Sequence, residues 1–255
     1  MGSHVVMFSG GVGSWAAAKR VAEKHGTKNL TLLFTDTKME DEDLYRFLTE
    51  AAANVGGTLV TISGGRTPWQ VFFDVRFLGN SRVDPCSRIL KRDLARKWIT
   101  DRYKPDDVTI YIGIDWTESH RMVAVVRNWE PYTILAPMTD PPYLDKKDML
   151  NELTELGIQP PALYKLGFPH NNCGGFCIKA GHAQFKLLLD VLPEVYCHHE
   201  RKEEELRQHL GKDVAILRSR IGGKSKPMTL REFREKVTEG YLWDQHEWGG
   251  CGCFT

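Results

Sequence analysis

The sequence predicts an α/β fold: a parallel sheet of about five strands with helices on both faces, followed by a helical, cysteine-bearing extension. Three observations point to it. Short, β-branched apolar runs alternate with amphipathic stretches through the first 140 residues, the pattern of repeated strand–helix–strand units. A glycine-rich loop separates the first apolar run from the first helical stretch. From about Pro141 the strand-like runs give way to helical ones, and five of the six cysteines lie in that part. The reading is a core over residues 1–140 and a helical region over 141–255 packed on it.

The elements follow in order. "HVVMF" (4–8) is short and β-branched and forms the first strand. "SWAAAKRVAEKHG" (14–26) is a helix closed by Gly26, a residue suited to a helix C-terminus. "NLTLLFTD" (29–36) is the second strand. "EDEDLYRFLTEAAANVGG" (40–57) is a helix with acids in its first turn, where the macrodipole favours them. "TLVTIS" (58–63) is the third strand. "PCSRILKRDLARKWITDRY" (85–103) is amphipathic, with Ile89, Leu90, Leu94 and Trp98 near helical spacing. "DVTIYIGID" (107–115) and "YTILAPM" (132–138) are the fourth and fifth strands. "DKKDMLNELTEL" (145–156) and "AGHAQFKLLLDVL" (180–192) are helices. No proline-, glycine- or serine-rich linker divides the chain, which suits one compact, Rossmann-like unit.

Composition narrows the function classes. Of the 255 residues 42% are hydrophobic and 26% charged, ordinary for a globular protein, and the net charge of +1 makes no global case for a nucleic-acid or membrane binder. No apolar run approaches the ~20 residues of a membrane-spanning helix. The first residues lack a signal-peptide pattern, so a cytoplasmic protein is expected.

The loop "FSGGVGS" leaves a strand and enters a helix. In an open parallel sheet, ligands bind at such strand ends, and a helix N-terminus presents free N–H groups to an anion. Gly10, Gly11 and Gly13 allow close backbone approach, and Ser9 and Ser14 offer hydroxyls to phosphate oxygens. The spacing is neither a Walker A loop nor the dinucleotide GxGxxG. A tight turn with a capping serine is the structural alternative.

The cysteines point to a second chemistry. "NNCGGFC" places Cys173 and Cys177 at C-x3-C, and "GGCGC" places Cys251 and Cys253 at C-x-C, each beside glycines. Without a secretion signal, metal ligands or redox thiols are expected before disulfides. Four thiolates can make a tetrahedral Zn²⁺ site, and three or four can hold an iron–sulfur cluster. Inert cysteines are the third alternative. Cys197 precedes "HHE" and reads as part of a solvated helix face rather than a ligand. His170 and His182 flank the C-x3-C loop. "RSRIGGKSK" (218–226) holds four basic residues and no acid. It reads as an exposed hairpin or loop, or as a clamp for a phosphate or a polynucleotide backbone.

Taken together, the motifs resemble the PP-loop ATP pyrophosphatase (adenine nucleotide alpha-hydrolase) superfamily, and within it the phosphoadenosine phosphosulfate (PAPS) reductase-like family. "FSGGVGS" resembles its SGGxDS loop, "FTDTKMEDEDLYRF" its Asp-Thr motif, and "PCSRILKRDLARKWI" its Cys…Lys helix. "GIDWTESHR" resembles its Gly…Glu…Arg segment, and "PPALYKLGFPHNNCGGFC" its P-x-LY and paired-cysteine end. The resemblance covers roughly residues 5–180. It implies an adenine nucleotide, ATP or PAPS, with Mg²⁺. By resemblance Asp36 and Thr37 contact the adenosine, Gly113 and Glu118 border the nucleotide, and Lys91 and Arg121 face its negative charge. Against this stand the plainer roles of a helix cap for Asp36, a solvated lysine for Lys91 and a helical ion pair for Glu118 and Arg121. Gly13 stands where the family has an acid, and Asp115 is the candidate to replace it at Mg²⁺. Cys86 lies near the nucleotide in this fold and is a further metal-ligand candidate.

The implied reaction is cleavage of ATP to AMP and pyrophosphate, adenylating an acceptor, with sulfur transfer as one outcome. The acceptor is open between a tRNA or DNA base and a small molecule, and so is oligomeric state. One alternative is sulfonucleotide reduction by a C-terminal thiol. The chain ends "WGGCGCFT", without the glutamate and histidine that flank that family's thiol. A non-catalytic nucleotide-binding regulator is the other.

Overall fold

The computed structural model describes residues 2–80, 82–221, 224–240 and 245–250. Strand β1 (Ser3–Met7) leads through the glycine loop into α1 (Val12–His25). Then come β2 (Leu30–Asp36), α2 (Glu42–Val55), β3 (Thr58–Ser63) and the short α3 (Pro68–Asp74). The amphipathic stretch is one helical rod in three parts: α4 (Pro85–Ser87), a π-helical turn (Arg88–Arg92) and α5 (Asp93–Thr100). β4 (Val108–Tyr111), a 3₁₀ turn (Trp116–Arg121), α6 (Met122–Trp129) and β5 (Thr133–Leu135) complete the sheet.

The five strands are all parallel, in the order β3-β2-β1-β4-β5. β1 is central, with Val6 set between Leu32 of β2 and Tyr111 of β4. The chain runs from β1 to one side and returns to β4 on the other, so the topological switch point lies between β1 and β4. Both sheet faces are covered, as the near-continuous apolar strands require. Val6, Phe8, Leu32 and Phe34 pack on Trp15, Ala18, Phe47 and Leu48 of α1 and α2. Val5, Met7, Ile110 and Ile134 pack on Ala95 and Ile99 of α5 and Val125 and Trp129 of α6. Trp15 is fully buried, and burial of such a side chain contributes about 2–3 kcal/mol.

Beyond the sheet lie α7 (Lys146–Glu155), α8 (Ala162–Lys165), α9 (His182–Val191) and α10 (Pro193–Leu210). A hairpin, β6 (Leu217–Ile221) and β7 (Lys224–Met228), and α11 (Leu230–Thr238) follow. The basic stretch 218–226 thus falls in an antiparallel hairpin, and its last pair described is Ile221 with Lys224. Packing crosses residue 140 in both directions. Met149, Leu153 and Ile158 share the core of α1 and α2, while Trp69, Phe72 and Leu78 share a core with Phe176, Phe185, Tyr196 and Phe233.

Helix α10 departs from the solvated face expected of "CHHERKEEEL". His199, Glu200 and Glu203 are buried. His199 Nδ1 accepts the Trp69 indole N–H at 2.9 Å, and its ring stacks on Phe176 at 3.9 Å. Burial, with His198 adding to it, pushes His199 down to about 3. Glu203 accepts the backbone N–H groups of Ile216 and Leu230, the residues flanking the hairpin. Burial outweighs those bonds and raises it to about 7. Among the described residues no helix is long and apolar enough to cross a membrane.

Candidate functional site

Loop 9–14 leaves β1 at the switch point. Gly10 has φ +79°, and a Cβ there would meet the Leu44 side chain at 2.9 Å. Gly11 is the N-cap of α1 and supplies no side-chain cap, and the Ser14 N–H donates back to Gly11 O at 3.1 Å. Ser14 Oγ donates to Gly11 O at 2.7 Å, which tightens the turn. Tyr164 reaches over from α8, and its hydroxyl accepts the Val12 N–H at 3.3 Å.

Gly13 and Gly113 bring two backbones together. A Cβ on Gly13 would lie 2.9 Å from Gly113 O, and one on Gly113 would lie 2.6 Å from Ser14 N. The loops after β1 and β4 therefore touch without side chains between them. This is the physical reason an acid is absent at position 13, since even its Cβ has no room.

A cleft of about 140 Å³ opens at this contact, lined by Ser9, Gly11, Gly13, Ser14, Gly113, Glu118 and Arg121, together with Tyr164, His170, Asn171 and Asn172. Arg121 Nη1 donates to Glu118 Oε1 at 2.6 Å, the plainer helical pair, and both side chains line the cleft. Asn171 is 2% exposed. Its Nδ2 donates to Gly10 O at 2.8 Å, while its Oδ1 is buried with no hydrogen-bond partner among the described residues. Lys146 sits 4.1 Å over the Tyr164 ring and donates to Pro169 O at 2.6 Å. Burial lowers its ammonium to about 8.

Other sequence-derived candidates lie elsewhere. Gly10 shapes the loop from behind and meets the cleft through Asn171. Asp115 caps the 3₁₀ turn, accepting the Thr117 N–H at 2.8 Å and hydroxyl at 2.6 Å, and it does not line the cleft. Asp36 is buried and accepts from Lys38 N, Lys38 Nζ and Tyr45 Oη. Burial alone would raise it, but those donors hold it below the usual carboxylate range. It does not cap α2, whose N-cap is Asp41.

Thr37 and Lys91 meet at a second cavity, beyond the end of β2, with Cys86, Cys173 and Cys177. It measures about 20 Å³, room for little more than one water-sized group. Lys91 is 4% exposed, turned inward from the π-helical turn. Glu40 is the hub. Its Oε1 accepts the Thr37 hydroxyl at 2.8 Å and lies 3.7 Å from Lys91 Nζ, and its Oε2 accepts the Cys173 N–H. Cys173, Gly174 and Gly175 have φ of +50°, +61° and +87°, so the loop reverses through three left-handed residues. Two glycines take that conformation freely, and Cys173 bears the strain.

The tail is stitched beside this loop. Gly181 N donates to Trp248 O at 3.1 Å, and Gly250 N to Lys179 O at 3.3 Å. Gly250 and Trp248 line a small cavity with Cys177, His170 and Asn172. Asn172 borders all three cavities. Cys251 and Cys253 lie outside the described residues. Among the described residues, no three His, Cys, Asp or Glu side chains are grouped to hold a metal ion. Tyr164, Asn171 and Glu40 were given no role of their own from sequence. Tyr164 and Asn171 lie in the quoted P-x-LY and paired-cysteine motifs, and Glu40 is the first acid of a run that the helix dipole already accounts for.

Known structures similar to this one include a phosphoadenylyl-sulfate (PAPS) reductase from Candida auris in complex with phosphate. It is 14% identical, with a TM-score of 0.43, over 65% of this chain and 77% of that one. Another is a predicted subunit of tRNA methyltransferase from Methanocaldococcus jannaschii, 14% identical with a TM-score of 0.33, over 63% of this chain and 91% of that one. No protein-family model and no curated protein matches the chain.

Proposed function

We propose that the chain is a PP-loop enzyme that binds ATP in the cleft between β1 and β4 and cleaves it between the α- and β-phosphates. The observation that carries this reading is the buried Asn171 Oδ1. It is an acceptor without a partner among the described residues, in the cleft that the start of α1, Ser9 and Arg121 line. A buried polar atom of this kind calls for a ligand donor, and a ribose hydroxyl among phosphates supplies one. Ser9 and the N-terminal end of α1 hold the pyrophosphate end, with Ser14 joining them when its hydroxyl turns from Gly11 O. The Arg121 guanidinium suits bidentate contact with phosphate oxygens.

In the reaction an acceptor hydroxyl or carbonyl oxygen attacks the α-phosphorus, and the bond from that phosphorus to the pyrophosphate oxygen breaks. Pyrophosphate leaves with its electron pair, and a hydroxyl acceptor's proton passes to solvent. Mg²⁺ bound with the triphosphate supplies charge neutralisation. Glu118 is the carboxylate at the cleft, and Asp115 is committed to Thr117. The protein's part is placement of charge in a fixed site.

The test is thermal unfolding of the full chain with ATP, AMP, PAPS or pyrophosphate, since a ligand that binds only the folded state raises the midpoint. ATP with Mg²⁺ is expected to stabilise, and Arg121→Ala to abolish the shift. No shift with any nucleotide overturns the reading. ATP binding without AMP formation over a panel of acceptors favours the regulator.

The shared border at Asn172 favours a second reading, in which the cysteines act on the bound nucleotide's chemistry. Cys86, Cys173 and Cys177 line one cavity, and the tail before Cys251 and Cys253 runs beside it. In this reading the thiolates for an iron–sulfur cluster or Zn²⁺, which would serve sulfur transfer, come from these five, and Cys86, Cys173 and Cys177 would have to draw together to bind it, since no three ligating side chains are grouped among the described residues. Iron, sulfide and zinc content of anaerobically purified protein tests it. Metal-free protein that reduces PAPS through Cys251 or Cys253 establishes the reductase instead.

A further inference from the structure

We propose that the β6–β7 hairpin is a docking arm for the phosphate backbone of a polynucleotide. The hairpin forms a sheet of its own, apart from the five-stranded one. Its feet are fixed: Leu217 and Met228 are buried in the core that holds Phe176, and Glu203 takes the N–H groups of Ile216 and Leu230. Its outer half is exposed, at Lys224, Ser225 and Lys226, as is Arg218.

Residues 217–228 carry four basic side chains and no acid, on a chain whose net charge is +1, so the remainder is net negative. Arg218, Lys224 and Lys226 have no carboxylate partner among the described residues, and Arg218 reaches instead to Ser225 Oγ at 2.7 Å. Neighbouring cations differ: Arg231 and Arg234 of α11 both pair with Glu200. The register sets Lys226 opposite Ser219 and Lys224 opposite Ile221, on the face of Leu217, while Arg218 is opposite Pro227 on the other face. Exposed cations on both faces of the ribbon suit a polyanion long enough to reach more than one of them. A single small phosphate would engage one face. A two-stranded ribbon is also of a size that the major groove of B-DNA admits. The inference stands apart from the nucleotide reading, and its test uses no ATP.

The experiment is fluorescence anisotropy of labelled 24-residue oligonucleotides with the full chain. The probes are single- and double-stranded DNA and RNA, across about 50–200 mM salt. Binding of at least one is expected, weakening as salt rises. Arg218→Gln/Lys224→Gln/Lys226→Gln should lower affinity at least about tenfold and flatten the log–log salt slope by about 3, near one for each phosphate that is no longer neutralised. Lys28→Gln/Lys147→Gln/Lys212→Gln removes the same charge from exposed sites elsewhere and should leave most affinity intact. The strongest probe identifies DNA or RNA. No binding to any probe, equal loss in both triple variants, or stronger binding to anionic phospholipid vesicles overturns the proposal. Unchanged thermal midpoints confirm that both variants fold.

Discussion

The cleft beyond β1 and β4 opens where two backbones meet. Gly13 and Gly113 put the two main chains in contact, and Ser9, Ser14, Glu118, Arg121, Tyr164 and Asn171 are set around that contact. The cavity beyond β2 is walled by side chains that satisfy one another, with Glu40 joining Thr37, Lys91 and the backbone of Cys173. The first is open and keeps an acceptor in reserve, and the second is nearly full. A contact between two backbones tolerates no added atom, whereas a site held by paired side chains tolerates size changes but not loss of charge. The two are joined at Asn172.

The largest expected effect comes from adding one carbon to the first site. Gly113→Ala sets a methyl 2.6 Å from Ser14 N, where neither backbone can yield. A displacement of about 1 Å in a positioned site costs about 100-fold, so ATP affinity should fall by about that much, with about 1–3 kcal/mol lost from stability. Titration and thermal unfolding read both. Metal content and cysteine accessibility should not change. The matching probe of the second site is Glu40→Gln, which keeps the shape and removes the charge. Breaking a buried ion pair costs about 3–5 kcal/mol. The loss should appear as lower stability and faster alkylation of Cys173, with ATP affinity within twofold. A parallel fall in ATP affinity would show that Asn172 makes the two cavities one site.

A smaller effect separates the reserve acceptor from its neighbours. Asn171→Ala removes the unsatisfied Oδ1 together with the bond to Gly10 O. Folding loses one modest hydrogen bond of about 1 kcal/mol. ATP binding should weaken about tenfold by calorimetry. An unchanged affinity would remove the ligand role assigned to Asn171.

The difference between the sites also explains what the sequence could show. Strand periodicity and glycine spacing report backbone, so the sheet and the loop 9–14 were readable, while Gly113 entered only through resemblance and its contact with Gly13 only through the structure. Roles set by where a side chain turns were not. Glu40 and Asp41 stand side by side, yet one is buried at the cysteine loop and the other caps α2. Asp115 follows β4 as the sequence reading placed it, but which way its carboxylate turns, with Oδ1 accepting from Thr117, was not legible. The charged stretch around His199 and Glu203 reads as solvated because charge is common on surfaces. Its burial follows from aromatic partners more than 100 residues away, at Trp69, and from a hairpin that follows it.

The smallest expected effect is a pH dependence confined to the cysteine side. His199 is neutral in the fold, near 3, against about 6.5 when unfolded. The unfolded chain takes up a proton below 6.5, so this group's contribution is lost as pH falls from 6.5 through 3. Glu203 runs the other way. It titrates near 7 in the fold and near 4.5 unfolded, so its contribution is full below 4.5 and lost as pH rises to 7. Between pH 4.5 and 6.5 the two slopes, each at most about 1.4 kcal/mol per pH unit, oppose one another. The contributions of these two groups should nearly cancel there, and the loss from His199 should stand alone below 4.5. Glu203→Gln removes one of the two slopes. Its stability, lower overall, should decline already from pH 6.5, as read by denaturant unfolding at half-unit steps. An unchanged profile in that variant would mean Glu203 stays charged at the foot of the hairpin, held by its two N–H donors against the cost of burial.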